Sequence, residues 1–223
     1  MIEIKYLTKK YSGVTVLDIS ELNIDKGESF GLAGNNGAGK TTFFSLILDL
    51  RRASNGHVFI KNQDVSLTEE WKNYTGSYID ESFLIEFLTP EEYFQFIAKL
   101  HGFSKGDLQE FYDRYEELFA GEITGKKKYI RELSKGNQKK VGIAAALLPK
   151  PELLVLDEPF SNLDPSSQIR LKKILKTLRK EDSMTMLISS HDLNHVTEVC
   201  ERIVILDKGL IVHDLQTSDK TLE

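Results

Sequence analysis

The chain has 223 residues, 40% of them hydrophobic and 28% charged, with a formal net charge of −5. That length can bury the core of one large domain or two small ones, and the composition excludes disordered and fibrous classes. The acidic balance argues against a broad nucleic-acid surface, so no nucleic-acid partner is expected.

Met1–Lys5 shows no leader anatomy and reads as a strand. Cys200 is the single cysteine, which excludes an internal disulfide and fits a reducing compartment. Strands are expected at Ile2–Leu7, Val14–Leu17, Ile19–Ile24 and Phe30–Ala33, joined by connections too short for helices and therefore antiparallel in part. The last strand runs into Gly34-Asn35-Asn36-Gly37-Ala38-Gly39-Lys40-Thr41, which matches G-x-x-x-x-G-K-[ST] at every fixed position. The residue types follow from the chemistry of an anion. Glycines let backbone N–H groups close around phosphate, and the following helix aims its positive end at the same point. Lys40 can then reach the β- and γ-phosphates and the Thr41 hydroxyl can ligate Mg²⁺. A nucleoside triphosphate site is implied.

The helix after this loop is expected to end near Arg51-Arg52, before strands at His57–Ile60 and Gly76–Ile79. Thr89-Pro90-Glu91-Glu92 then carries a capping box, and apolar residues at Tyr93, Phe94, Ile97 and Leu100 give a helical stripe. A second helix is read from Leu108 through Phe119, and a third over Lys135–Leu148 with Ser134 as its N-cap. Residues 83–150 thus form a helical block inserted between 1–82 and 151–223. No helical segment approaches the roughly 20 apolar residues that cross a bilayer. Beyond the block, Leu153–Leu156 is apolar throughout, as in a parallel strand buried on both faces. Further elements follow: a helix from Asp164-Pro165, a strand Met184–Ile188, a helix Asp192–Cys200, a strand Ile203–Leu206, and Leu210–His213 after a turn.

Leu153–Leu156 ends in Asp157-Glu158, two carboxylates at the carboxyl end of a buried strand, where open α/β sheets bind ligands. Asp157 suits Mg²⁺, and Glu158 suits an attacking water. Between the glycine loop and this pair lies Leu133-Ser134-Lys135-Gly136-Asn137. With it the chain resembles the nucleotide-binding subunits of ATP-binding cassette (ABC) transporters, whose signature runs Leu-Ser-Gly-Gly-Gln ahead of a helix. Ser161-Asn162-Leu163-Asp164 is similar to the family's D-loop, His191 to its switch histidine, and Tyr11 to the aromatic that stacks on adenine.

The resemblance implies an α/β P-loop NTPase fold: a mainly parallel core sheet, an N-terminal antiparallel β-subdomain and an inserted α-helical subdomain. It implies ATP and Mg²⁺, and a homodimer or heterodimer of nucleotide-binding subunits facing head to tail. ATP would lie against Tyr11, Val16 and Gly34, Asn35, Asn36, Gly37, Ala38, Gly39, Lys40, Thr41 and Thr42 of one copy. The partner's Ser134, Lys135, Gly136 and Asn137 would close over it. Lys40, Glu158 as general base and His191 would be catalytic, and Asp164 would link the two sites. Thr41, Asp157 and Asp80 would hold the metal; Asp80, with Glu81 next to it as the alternative, stands where the family has its Q-loop glutamine. An integral membrane transporter subunit is the implied partner, with this chain peripheral on the cytoplasmic face. Lys135 and Asn137 are similar to cassettes of two-component exporters. The apolar Phe83–Leu88 stretch is either helical-block core or part of a groove for that membrane subunit. A soluble ABC ATPase uncoupled from transport, or a regulator that binds without hydrolysing, are the competing readings.

Overall fold

The computed structural model describes residues 1–217. Strands β1 (Ile2–Tyr11) and β2 (Val14–Ile24) form an antiparallel hairpin, with register Ile2 to Ile24, Ile4 to Leu22 and Leu7 to Ile19. All six of these side chains are buried, and alternation holds on either side of a break at Tyr6, whose φ is 51°, so one apolar face still lies inward. The single strand β2 replaces two expected ones. Asp18 looked like a break, but period-2 geometry puts it on the exposed face, paired with Thr8. After β3 (Ser29–Ala33) comes α1 (Lys40–Ile47), shorter than expected because Leu48 caps it and Asp49 turns left-handed at φ 47°. Strands β4 (Asn55–Ile60) and β5 (Gln63–Asp64) complete a four-stranded sheet in the order β2-β1-β4-β5.

The second sheet adds β6 (Thr75–Tyr78), β7 (Leu153–Leu156), β8 (Thr185–Ser190), β9 (Arg202–Asp207) and β10 (Leu210–Gln216) to β3. Its order is β10-β9-β3-β8-β7-β6. Every pairing is parallel except that of β10 with β9. This is the α/β architecture expected from the sequence, antiparallel sheet included.

Helices α2 (Pro90–Leu100), α3 (Lys105–Arg114), α4 (Glu116–Phe119) and α5 (Lys135–Leu147) lie between β6 and β7. The Thr89–Glu92 capping box is formed, with Glu92 N–H on Thr89 Oγ1 at 3.3 Å and Thr89 N–H on Glu92 Oε2 at 2.8 Å. A second box joins Ser104 and Asp107 at the start of α3. The helix expected over 108–119 is split at Tyr115, whose ψ of 15° leaves the helical region. The split brings Phe119 within 5.7 Å and Phe111 within 5.2 Å of the Phe94 ring, an aromatic cluster a straight helix would not close. Two more helices, α6 (Pro165–Asp182) and α7 (Leu193–Val199), flank the returning strands.

The apolar run of β7 is explained by burial on both faces. Leu154 and Leu156 join Met186, Ile188, Phe94 and Phe111 in one core cluster with the helices. Leu153 and Val155 join Leu187, Val204, Phe43, Phe44 and Ile4 in another. Helix α1 thus sits in the core between the two sheets, while the inserted helices share a core with the opposite face of the parallel sheet.

Candidate nucleotide-binding site

The strand order places the carboxyl ends of β3, β8, β7 and β6 side by side. Those ends carry the glycine loop, His191, Asp157-Glu158 and Asp80-Glu81, segments far apart in the chain. The glycine loop joins β3 to α1 with Gly37 at φ 83° and Gly39 at φ 110°. At Gly34 the constraint is packing: a Cβ there would stand 2.4 Å from the Leu206 carbonyl oxygen of β9. A side chain at either kind of position would pull the loop off the sheet.

Lys40 is buried, and its Nζ donates to the Gly34 and Asn35 carbonyls at 2.7 and 3.3 Å. It also lies 3.1 Å from Glu158 Oε1, an ion pair across the cleft. Asn35, Asn36 and Gly37 are exposed, and Ala38 is packed inside. Thr41 Oγ1 donates to Asp157 Oδ2, and Ser189 Oγ donates to Asp157 Oδ1. Burial raises the Asp157 carboxyl above the ordinary aspartate value, against the pull of these two hydroxyls. Thr42 follows in the first turn of α1, half-buried.

Glu158 has φ 47°, a left-handed conformation unusual for a side-chain-bearing residue. Its N–H donates to Ser189 Oγ at 2.9 Å, and its Oε2 shares a 2.8 Å hydrogen bond with His191 Nδ1. The pair faces the glycine loop and is open to water on one side. A carboxylate oriented by an imidazole beside an anion cradle can accept a proton from a water positioned there.

The Asp80 carboxylate makes a local contact. Its Oδ1 accepts from Ser82 N–H at 2.7 Å, capping a short 3₁₀ turn over Glu81–Phe83. This local Asx turn occupies one oxygen of Asp80, and Glu81 stands beside it at the same strand end. Burial holds Lys139 below the ordinary lysine value, and the charges of Glu81, Glu158 and Asp157 oppose that effect.

The signature segment lies at the start of α5. Ser134 caps it, accepting from Asn137 N–H at 3.2 Å, and Ser134 and Lys135 are exposed while Gly136 and Asn137 are half-buried. Within one protomer this surface does not meet the glycine loop. Asp164 caps α6 by accepting from Ser167 N–H at 3.0 Å; that residue's side-chain and backbone donors hold the Asp164 carboxyl below its ordinary value. The Val16 carbonyl lies close to the loop, 3.2 Å from where a Cβ on Gly39 would stand. Tyr11 is half-exposed on the β1–β2 hairpin, its hydroxyl accepting from Arg51 at 2.8 Å and Lys9 Nζ 5.0 Å over its ring. These contacts tie it to Arg51, just beyond α1, while its strand partner Val14 lies two residues from Val16.

Sequence reasoning missed two contributors. Ser189 holds both Asp157 and Glu158; its signal was a polar pair, Ser189-Ser190, closing an otherwise apolar strand. Lys139 carried no local signal, since a Lys139-Lys140 pair reads as solvated surface.

A family model described as "ABC transporter" matches residues 17–161. The chain is 38% identical over 210 residues to the uncharacterized ABC transporter ATP-binding protein YhaQ of Bacillus subtilis, covering 94% of this chain and 69% of that protein. It belongs to the ABC transporter family. It is also similar to the bacitracin transport ATP-binding protein BcrA of Enterococcus faecalis, 34% identical with 98% and 70% of the two chains covered. Among solved structures, a dimeric post-hydrolysis state of the ATP-binding cassette MJ0796 bound to ADP and Pi aligns with a TM-score of 0.84. That match has 28% identity and covers 98% of this chain and 99% of the other. With the glycine loop and the Glu158–His191 pair intact, the chain is an ATP-binding, ATP-hydrolysing subunit of an ABC transporter.

Proposed function

We propose that this ABC subunit hydrolyses ATP in a head-to-tail dimer and drives export through a separate membrane chain. The observation that carries the reading is the split site: the glycine loop with Glu158 and His191 on one surface, the exposed Ser134 and Lys135 on another. A second copy brings its helix N-terminus to the phosphate that the first copy holds, which suits an anion. Similarity to the cassette MJ0796, dimeric and bound to ADP and Pi, supports a dimer.

Lys40 and the loop N–H groups take the β- and γ-phosphates, Lys40 exchanging its carbonyl and Glu158 partners for phosphate oxygens. Glu158, held by His191, accepts the proton of the attacking water as the bond between the γ-phosphorus and its bridging oxygen breaks and ADP leaves. His191 also faces the γ-phosphate, and Tyr11 and Val16 flank the base. The Thr41 hydroxyl and Asp157 carboxylate are hard oxygen donors meeting at the loop, a set that fits Mg²⁺. When bound, Mg²⁺ neutralises phosphate charge.

No helix among the described residues is long and apolar enough to cross a membrane, so a membrane pathway has to come from another segment or chain. Phe83, Ile85 and Phe87 are exposed beside a groove of about 250 Å³ lined by Leu50, Tyr93, Ile97 and His101. Such a patch suits a helix offered by a membrane subunit at the cytoplasmic face. Similarity to the bacitracin transport ATP-binding protein BcrA favours transport of a compound of that kind. The test is a tagged pull-down from native membranes in mild detergent. A polytopic membrane protein recovered in stoichiometric amount is expected; only soluble partners would reassign the ATPase to a process other than transport.

A further inference from the structure

Lys139 lies one turn inside α5, four per cent exposed, and its side chain reaches the segment after the acidic strand end. Its Nζ donates to the Glu158 carbonyl at 2.7 Å and to Ser161 Oγ at 2.5 Å. Ser161 returns to the same carbonyl, through Oγ at 2.9 Å and N–H at 3.2 Å. Three donors thus converge on one backbone oxygen, that of the residue carrying the general base.

The local backbone gives this convergence its meaning. Glu158 and Asn162 both have positive φ, 47° and 61°, in a segment without glycine. Such conformations persist only where surroundings fix them. Glu158 is fixed from both sides: its N–H by Ser189, its carbonyl by Lys139. The same helix start touches the loop a second time. A Cβ on Gly136 would stand 2.7 Å from the Asn162 carbonyl, so signature helix and loop are in direct backbone contact. Burying an ammonium is costly, and burial does push Lys139 below the ordinary lysine value. Glu81, Glu158 and Asp157 oppose that push and keep a cation tolerable there.

We infer that Lys139 is a positioning residue for hydrolysis: from the signature helix it holds the Glu158 backbone, so a protomer's own base is aligned when its signature is seated on the partner's ATP. This rests on the head-to-tail reading proposed above. The two nucleotide sites of a dimer are then mechanically joined through each protomer, by a route running Ser134, Lys139, Glu158.

The test compares steady-state ATPase kinetics of the wild type, Lys139→Met, Ser161→Ala and the double variant. ATP-driven dimerisation is measured for Lys139→Met in a Glu158→Gln background. Lys139→Met should lower kcat by about 10- to 100-fold, as for a displaced reacting group, with KM within about 3-fold and dimerisation retained. Ser161→Ala should lower kcat less, and adding it to Lys139→Met should change little, because both act on one carbonyl. A kcat within about 2-fold of wild type, or fully additive effects, would overturn the inference. Should Lys139→Met not fold, Lys139→Gln, which keeps two N–H donors, decides: partial turnover at normal KM supports the role, and raised KM with normal kcat refutes it. If Glu158→Gln alone fails to dimerise with ATP, the head-to-tail reading falls, and the kcat comparison still judges Lys139.

Discussion

Replacing Glu158 by glutamine isolates the proposed base with little disturbance to its surroundings. The side chain keeps its length, and the Glu158 N–H bond to Ser189 Oγ at 2.9 Å and the carbonyl bond from Lys139 at 2.7 Å are main-chain contacts that survive. The strained φ of 47° is therefore retained. What disappears is the proton acceptor beside His191 and the negative charge 3.1 Å from Lys40. Loss of general-base assistance lowers turnover by about 10²- to 10⁴-fold, a barrier increase of about 2.7–5.4 kcal/mol. Nucleotide affinity should stay equal or rise, because Lys40 no longer leaves a carboxylate to reach phosphate and because the site repels anions less. Phosphate-release kinetics with Mg²⁺-ATP measure the first effect and calorimetric titration the second. Turnover within about 3-fold of wild type would place the base on another residue.

Lys40→Ala removes a buried, charge-assisted donor worth about 1.5–3 kcal/mol, so ATP affinity should fall by roughly 10- to 150-fold in the same titration; unchanged affinity would undo the phosphate-loop assignment. Thr89→Ala takes away the N-cap acceptor of α2 and one half of its capping box. About 1 kcal/mol of stability and roughly 2–4 °C in Tm should be lost, read by calorimetry; an unchanged Tm would show that water replaces the cap. His195 packs 4.9 Å from the Phe160 ring, and burial, then Lys172, holds its imidazole below the ordinary value of 6.5. The unfolded chain therefore binds more protons just below pH 6.5, and stability is lost as pH falls through that window. His195→Gln should flatten that part of a urea stability profile; an unaltered slope would remove His195 from the account.

What could be read before the structure follows a physical pattern. The glycine loop was legible because an anion dictates residue types at fixed spacing, and Leu153–Leu156 because a strand buried on both faces cannot alternate. The capping box at Thr89 was legible because all its partners lie within one turn. The breaks were harder. Asp18 fits a continuous strand only when its outward face is known, and Tyr115 ends α3 because Phe119 gains a place on Phe94, a tertiary reward invisible locally. Asp80 and Glu81 are chemically alike, and only the Ser82 N–H bond to Asp80 Oδ1 sets them apart. Lys139 was opaque for the same reason: nothing in Gln138-Lys139-Lys140 says that a carbonyl 19 positions downstream awaits it. The signature motif could be recognised, but its packing against the D-loop, through Gly136 and Lys139, could not.

The most direct measurement of the central claim is the mass of the Glu158→Gln variant in solution, by size-exclusion chromatography with light scattering, with Mg²⁺-ATP and with Mg²⁺-ADP. The mass should double with ATP alone, and two ATP molecules should be retained per dimer. A chain that binds ATP yet keeps the same mass in both nucleotides would contradict that claim.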